Sequence, residues 1–404
     1  MTGEGSEPSA LLVLGCRGVP AAHGGFETFA EHLALYLADR GWRVTVYCQG
    51  DGTIGAPRDR RLIRDAPWRG AIRRIVRVPS GTAGSLLFDL IALLDALRRP
   101  GPLLVLGYNT GLFTLVARAC GRTIVLNMDG LEWARLKWPA PVRWWLRLNE
   151  CIAVRVATHL VADHPRIADR VRALAPAAVC TTIPYGAPAL PPPDPGDPVL
   201  RDMLAAHGLA FAAYALVVCR IEPDNSVLEI VRAFSARQRP FALAIVGGLR
   251  SRLYDRAVRD AAGPGVRFLG ALYDRAALAA LRRGALVYVH GHRVGGTNPS
   301  LVEALGAGNA VIAHDNPFNR WTAGAAGLFF AEEAALAALF DRVATDAAWR
   351  TSARRAARAR HAESFQLAPM LEAYERLLAG RSEPPTSTVR ETAELNCTQS
   401  NCAL

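Results

Sequence analysis

Short apolar runs, each followed by a stretch with apolar positions at helical spacing, recur along this chain in two series separated by a proline-rich break. A strand buried on both faces reads as a continuous apolar run and its return helix as a single apolar stripe, so the alternation predicts parallel sheets covered by helices. In the first series the expected strands are residues 10–15, 43–48, 72–78, 103–106, 123–127, 159–162 and 179–183. Phe26, Phe29, Ala30, Leu33 and Leu37 mark the buried face of the helix after the first strand. Residues 187–198 carry prolines too densely for either pattern and read as an extended linker. The second series gives strands at 214–219, 242–246, 266–269, 286–289, 310–313 and 328–330, with Val227, Ile230, Val231 and Phe234 on a helix between the first two. A chain of 404 residues exceeds one core. The expected fold class is α/β, with two doubly wound Rossmann-like domains facing across a cleft. The expected division is a first domain over 1–187, a linker over 188–208, a second domain over 209–360, a helix over 361–380 packing back on the first domain, and a polar, disordered tail over 381–404 that includes Cys397 and Cys402.

In open α/β sheets the ligand crevice lies at the carboxyl ends of the strands, and the informative residues stand there. His290 ends a strand, and a glycine-bearing loop then leads to a helix opening on Asn298-Pro299-Ser300. Asn caps, Pro at the first helical position loses no needed N–H, and the first-turn amides can hold an anion. Phosphate binding and plain capping are both open at this loop. Glu303, one turn in, is placed for ribose hydroxyls or for the helix dipole. Gly24-Gly25 opens the first helix without Cβ atoms, and Arg220 follows the first strand of the second series, where a guanidinium can neutralise a diphosphate. Asp129 lies just beyond a strand and is either a base for a hydroxyl or a turn residue. His290 and His292 have no third ligand nearby in sequence, and there is no Asp-x-Asp, so no metal and no cofactor is expected.

The net charge of +11 calls for an anionic partner, and it is concentrated in residues 1–190, where 23 Arg and Lys face 15 Asp and Glu. Eight Arg lie between Arg58 and Arg77 around Trp68, and a second basic and Trp-rich stretch runs between Trp133 and Arg147. Both are candidates for contact with an anionic membrane surface. No nucleic-acid motif accompanies the charge, so nucleic acid is not expected. Eight cysteines without metal or redox spacing, and no secretion signal, point to the cytoplasm, peripheral on the plasma membrane where lipid contact is made. The nearest approach to a spanning helix, residues 85–97, is interrupted by Asp89 and Asp95.

Together these stretches resemble GT-B glycosyltransferases of family 4, and within them the bacterial rhamnosyltransferase-like subgroup. The resemblance rests on Gly15-Cys16-Arg17-Gly18-Val19-Pro20, Asp129-Gly130-Leu131-Glu132-Trp133, Arg220-Ile221-Glu222-Pro223-Asp224-Asn225, Gly295-Gly296-Thr297-Asn298-Pro299-Ser300 and His314-Asp315-Asn316-Pro317-Phe318-Asn319. It implies transfer of rhamnose or another hexose from a nucleoside diphosphate sugar to a glycan, lipid-linked saccharide or small metabolite, by a retaining, metal-independent route. It also implies roles for individual residues. Arg220 stabilises the leaving diphosphate, the amides from Asn298 to Leu301 hold its oxygens, and Glu303 binds ribose. Gly296, Thr297 and His290 line the donor side, Gly24 and Gly25 close on the phosphate, and Asp129 orients or deprotonates the acceptor. Phe26, Glu27 and Glu132 are acceptor-side candidates. Three positions depart from the family pattern: Gly295 and Asn225 where Glu and Lys are usual, and Trp321 where the subgroup has Glu. They keep two other readings in view, a nucleotide-sugar-binding scaffold without turnover and a sugar-nucleotide epimerase.

Overall fold

In the computed structural model the described residues are 9–21, 24–50, 61–249 and 253–380. Two sheets carry the fold. The first contains β1 (Ala10–Leu14), β2 (Arg43–Gly50), β3 (Ile63–Trp68), β4 (Ala71–Arg77), β5 (Leu103–Leu106), β6 (Ile124–Asn127), β7 (His159–Ala162) and β8 (Cys180–Thr182), in the order β3-β4-β2-β1-β5-β6-β7-β8. The second contains β9 (Tyr214–Val218), β10 (Ala242–Val246), β11 (Val266–Gly270), β12 (Val287–His290), β13 (Val311–His314) and β14 (Gly327–Phe330), in the order β11-β10-β9-β12-β13-β14. Every neighbouring pair is parallel except β3 with β4. The strand order reverses at β1 in one sheet and at β9 in the other, which opens a crevice at the carboxyl ends of both.

The helices of the first lobe are α1 (Gly25–Ala38), α2 (Thr82–Ala96), α3 (Gly111–Ala119), α4 (Ala140–Val156) and α5 (Pro165–Leu174). Those that follow are α6 (Pro198–Ala205), α7 (Val227–Ser235), α8 (Leu253–Asp260), α9 (Arg275–Gly284), α10 (Pro299–Gly306), α11 (Pro317–Ala323), α12 (Glu333–Thr345), α13 (Ala347–Ser364) and α14 (Leu367–Leu378). Side chains alternate across the first sheet as a two-residue period demands. Leu11 and Val13 of β1 enter a core with α1, while Leu12 and Leu14 enter another with α2, α3, α4 and α5.

Three features differ from the sequence expectation. Strand β3 is new, and it pairs antiparallel with β4 through a turn at Arg69 and Gly70, both at positive φ. Its sequence, IRDAPW, interrupts the apolar run with Arg64 and Asp65 and contains a proline, which only an edge strand tolerates. Residues 198–205 of the expected linker form α6 instead. Asp197 caps it by accepting from the Val199 and Leu200 amides, Pro198 starts it, and Leu200 and Leu204 are buried where it meets α9. Proline at the first helical turn is compatible with a helix, so proline density alone misplaces the end of the linker.

The third difference concerns the two basic, Trp-bearing stretches, which do not form one surface. Arg58 lies outside the described residues, and residues 63–77 are strands at the far edge of the sheet, separated from β6 by β2, β1 and β5. Most Trp rings in the second stretch face inward. Arg147 and Arg170 lie over Trp133 at 4.3 and 4.8 Å, Trp138 Nε1 donates to Glu132, and Trp145 Nε1 donates to the Asn109 carbonyl.

At the C-terminal side α14 crosses to α1. Tyr374 packs on Phe29 at 4.7 Å between ring centres, its hydroxyl accepts from Asn127 Nδ2 at 2.7 Å, and Tyr36 donates to Glu375 at 3.0 Å. The tail over 381–404, with Cys397 and Cys402, lies outside the described residues.

Candidate active site

The carboxyl rim of the second lobe is organised around Ser300. Its hydroxyl donates to the carbonyl of Val218, the last residue of β9, at 3.1 Å and lies 2.7 Å from the Tyr288 hydroxyl. Arg220 stands two residues beyond Val218, so the guanidinium segment and the start of α10 share one rim. The Arg220 side chain is 54% exposed, and its ion pair with Glu222 is long at 3.9 Å.

The first turn of α10 is already capped, one of the two readings that the sequence leaves open at this loop. Asn298 Oδ1 accepts from the Ser300 amide and the Asn298 carbonyl from that of Leu301, each at 3.1 Å. An Asn at this position competes with any anion for the same donors, so an incoming phosphate must exchange with that cap. Pro299 occupies the first helical position. The Glu303 carboxylate, half-buried, is ion-paired with the buried Arg282.

The first lobe meets this rim directly. A Cβ on Gly25 would lie 2.7 Å from Pro299 Cγ, and one on Gly130 would lie 2.7 to 2.8 Å from the backbone of Gly295 and Gly296. Gly24 precedes α1 without a side-chain cap. Phe26 is half-buried, and Glu27 is buried with Oε1 accepting from the Arg17 amide at 3.1 Å, which fixes the loop rather than presenting that oxygen to an acceptor. Asp129 takes the left-handed conformation, φ 56°, and donates its amide to Asn127 Oδ1 at 2.9 Å. Burial pushes its carboxyl above the usual range and Glu132 adds to this, while Arg135 and, across the cleft, Arg220 oppose. Glu132 is also buried, but Arg135 at 2.5 Å and Lys137 at 3.1 Å outweigh desolvation and hold it below its usual value.

Two carboxylates escaped the sequence reading. Asp163 follows β7 and ties the lobes together. Its Oδ2 accepts from the Thr297 amide at 3.0 Å, its carbonyl accepts from the Thr297 hydroxyl, and its Oδ1 is buried without a partner. Asp224 of the second lobe accepts from the Leu136 amide at 2.8 Å and the Lys137 amide at 3.3 Å. Asp163 stands just past a strand end, the same signal that singled out Asp129. Asp224 was recognisable only as part of a motif.

Burial raises the Asp163 carboxyl well above its usual range, with Asp129 adding to the shift. Below the ordinary carboxylate pKa both folded and unfolded chains hold the proton. Above it the unfolded chain ionises first, so stability falls by about 1.4 kcal/mol per pH unit until the folded group ionises too. Asp163→Asn is therefore expected to raise Tm, with a gain near zero at about pH 4 that widens as pH rises. A gain independent of pH in thermal melts would refute this.

His290 and His292 stack with ring centres 4.2 Å apart and planes 7° from parallel. Burial lowers His290 to about 3, and burial, then His290, lowers His292 well below its usual value, so both are neutral imidazoles. Neither ring nitrogen of His290 has a partner. Among the described residues no three His, Cys, Asp or Glu gather as a metal-binding group. Two of the family departures have structural uses. Asn225 is buried and donates to the Arg220 carbonyl at 2.7 Å, and Trp321 packs edge-on against His164 and Phe365.

Residues 212–346 match the family described as glycosyl transferases group 1. The second lobe is a group 1 glycosyltransferase domain. The first lobe, residues 9–188, matches a domain of unknown function, DUF1972. The whole architecture is the GT-B fold. The structure of sucrose-phosphate synthase from Thermosynechococcus elongatus superposes with a TM-score of 0.74 at 19% identity, covering 92% of this chain and 100% of that one. The α,α-trehalose-phosphate synthase (UDP-forming) from Burkholderia vietnamiensis superposes at 0.66 and 12%, covering 92% and 100%. A glycosyltransferase from Rickettsia africae superposes at 0.65 and 14%, covering 93% and 99%. No curated protein matches in sequence. With its group 1 domain and GT-B architecture, the chain is a glycosyltransferase.

Proposed function

We propose that this glycosyltransferase moves rhamnose or another hexose from a nucleoside diphosphate sugar to a hydroxyl of a glycan, a lipid-linked saccharide or a small metabolite. Retention of anomeric configuration and independence from metal are part of the reading. The observation that carries it is the Ser300 to Val218 hydrogen bond, which sets the start of α10 beside Arg220 on a rim in contact with Gly25 and Gly130 of the other lobe.

Arg220 neutralises charge as the bond to the diphosphate breaks, and the main-chain amides of Asn298, Ser300 and Leu301 take its oxygens once the Asn298 cap yields. Glu303 meets the ribose. The unpartnered nitrogens of His290 offer donor and acceptor to sugar hydroxyls, since buried polar atoms without partners mark places where a ligand supplies them. Asp129 orients the acceptor hydroxyl. In a retaining reaction the departing phosphate takes the acceptor proton, so Asp129 need not be a strong base. A cytoplasmic location fits the six unpaired cysteines among the described residues, and no described helix is long and apolar enough to cross a membrane.

A panel of nucleotide sugars tests the reading. The right donor at about 100 times its Kd should stabilise the protein by about 2.7 kcal/mol, seen as a higher Tm, and should release nucleoside diphosphate slowly even without acceptor. Binding without release would favour a scaffold. Conversion of the donor sugar with no diphosphate released would favour an epimerase.

A further inference from the structure

Three helices of the first lobe that lie side by side share an exposed apolar surface. Leu86, Leu87 and Leu94 of α2, Leu115 of α3, and Trp144 and Leu148 of α4 are all exposed, Trp144 at 66%. The opposite faces of these helices enter one core, so the exposed side chains share the outward side of the layer. Charge on this side has one sign. Arg118, Arg147 and Arg155 are exposed, and the three helices expose no carboxylate. Asp89 is held by Thr110, Asp95 is shared by Tyr47, Arg74 and Arg99, and the buried Glu150 is paired with Arg170. The patch stops at α5, where the exposed Asp169 and Arg172 form an ion pair typical of a solvated face.

We propose that the outward face of α2, α3 and α4 docks on an anionic lipid bilayer. Leucine and tryptophan side chains beside arginines, with no acid among them, suit a surface that is apolar inside and negatively charged at its headgroups. A second copy of the chain would set arginine against arginine with no carboxylate to meet either. The helix α2 is the segment that comes nearest to a spanning sequence, yet no described helix can cross, so it lies on the bilayer rather than through it. The face also reaches the cleft. Leu136, 67% exposed, leads into α4, and its amide is held by Asp224 of the second lobe. The surface stands on its own residues, whatever the cleft transfers.

The test is co-sedimentation of the full chain with vesicles of phosphatidylcholine alone or with about 30% phosphatidylglycerol. Wild type is expected to bind the anionic vesicles at least about tenfold more tightly, and added salt should weaken that binding. The triple variant Leu87→Ser, Leu115→Ser, Trp144→Ser is expected to lose binding about tenfold or more with its Tm unchanged. Arg147→Glu, which leaves the exposed leucines and Trp144 in place, should reduce the preference for anionic vesicles. Absence of binding by wild type, or full binding by the triple variant and by Arg147→Glu, overturns the proposal. A wild-type dimer in solution that the triple variant converts to monomer also overturns it, because a second copy would then cover the face.

Discussion

Arg220→Ala is expected to lower sugar transfer by about 10²- to 10³-fold, the usual loss when one preorganised donor to a developing charge is removed, while Tm stays within about 1 °C. The two halves of this expectation come from the same geometry. The side chain is 54% exposed and its ion pair with Glu222 is 3.9 Å long, so the fold depends little on it. Its charge nevertheless acts on Asp129 across the cleft and on His292 within its own lobe. In the proposed mechanism its charge matters most as the diphosphate leaves, so the loss should fall on kcat, with a smaller change in donor affinity. Arg220→Lys should recover part of the rate, since it restores the charge without the fork that grips two oxygens. Steady-state kinetics together with a melt decide the matter. Unchanged kcat in the alanine variant would remove Arg220 from the mechanism.

Gly130→Ala is expected to cost about 10²-fold in transfer through a single added methyl group, the scale associated with a misplacement of about 1 Å between reacting groups. That methyl would meet the Gly295 carbonyl carbon at 2.7 Å and the Gly295 Cα and Gly296 nitrogen at 2.8 Å, all of them backbone. A flexible side chain could move aside, but these atoms cannot, so the lobes must part by roughly the shortfall from a normal contact of about 3.5 Å. Gly130 is not in the left-handed region, so the first lobe itself accepts alanine. Donor binding, proposed for the second lobe, should survive, and a nucleotide-sugar melt would show it. Gly295→Ala makes a fitting control. Its own Cβ would find nothing within 4 Å, so near-normal transfer is expected even though it lies in the same contact. Equal losses in both variants would mean that glycine matters here for a reason other than close approach of the lobes.

The alternation of apolar runs and helical stripes made most of the architecture legible. It was strong because parallel strands buried on both faces leave no room for polar residues. Strand β3 was illegible because an edge strand is under no such constraint, and α6 because the proline that starts a helix looks like the proline of a linker. Motif residues were legible singly, as residues at strand ends, but their partners were not. Thr297 could be read as part of a donor loop, and nothing near it in sequence indicated that its amide would reach Asp163, 134 positions away. The same holds for Asp224 and the Leu136 amide, whereas the cap of Asn298 on the Ser300 and Leu301 amides is local and was among the readings open at that loop. In the basic stretches the sequence could count Trp133, Trp138, Trp144 and Trp145, but only packing separates the exposed Trp144 from the others.

The sequence alone therefore determined the two sheets, the crevice at their carboxyl ends and the residue types standing there, because periodicity and chain order are local and fix strand, helix and connection. Only the tertiary structure decided which of those residues face one another across the lobes, which amides are already taken and which tryptophan looks outward. Those outcomes depend on distances between segments remote in the chain, and no local pattern encodes such distances.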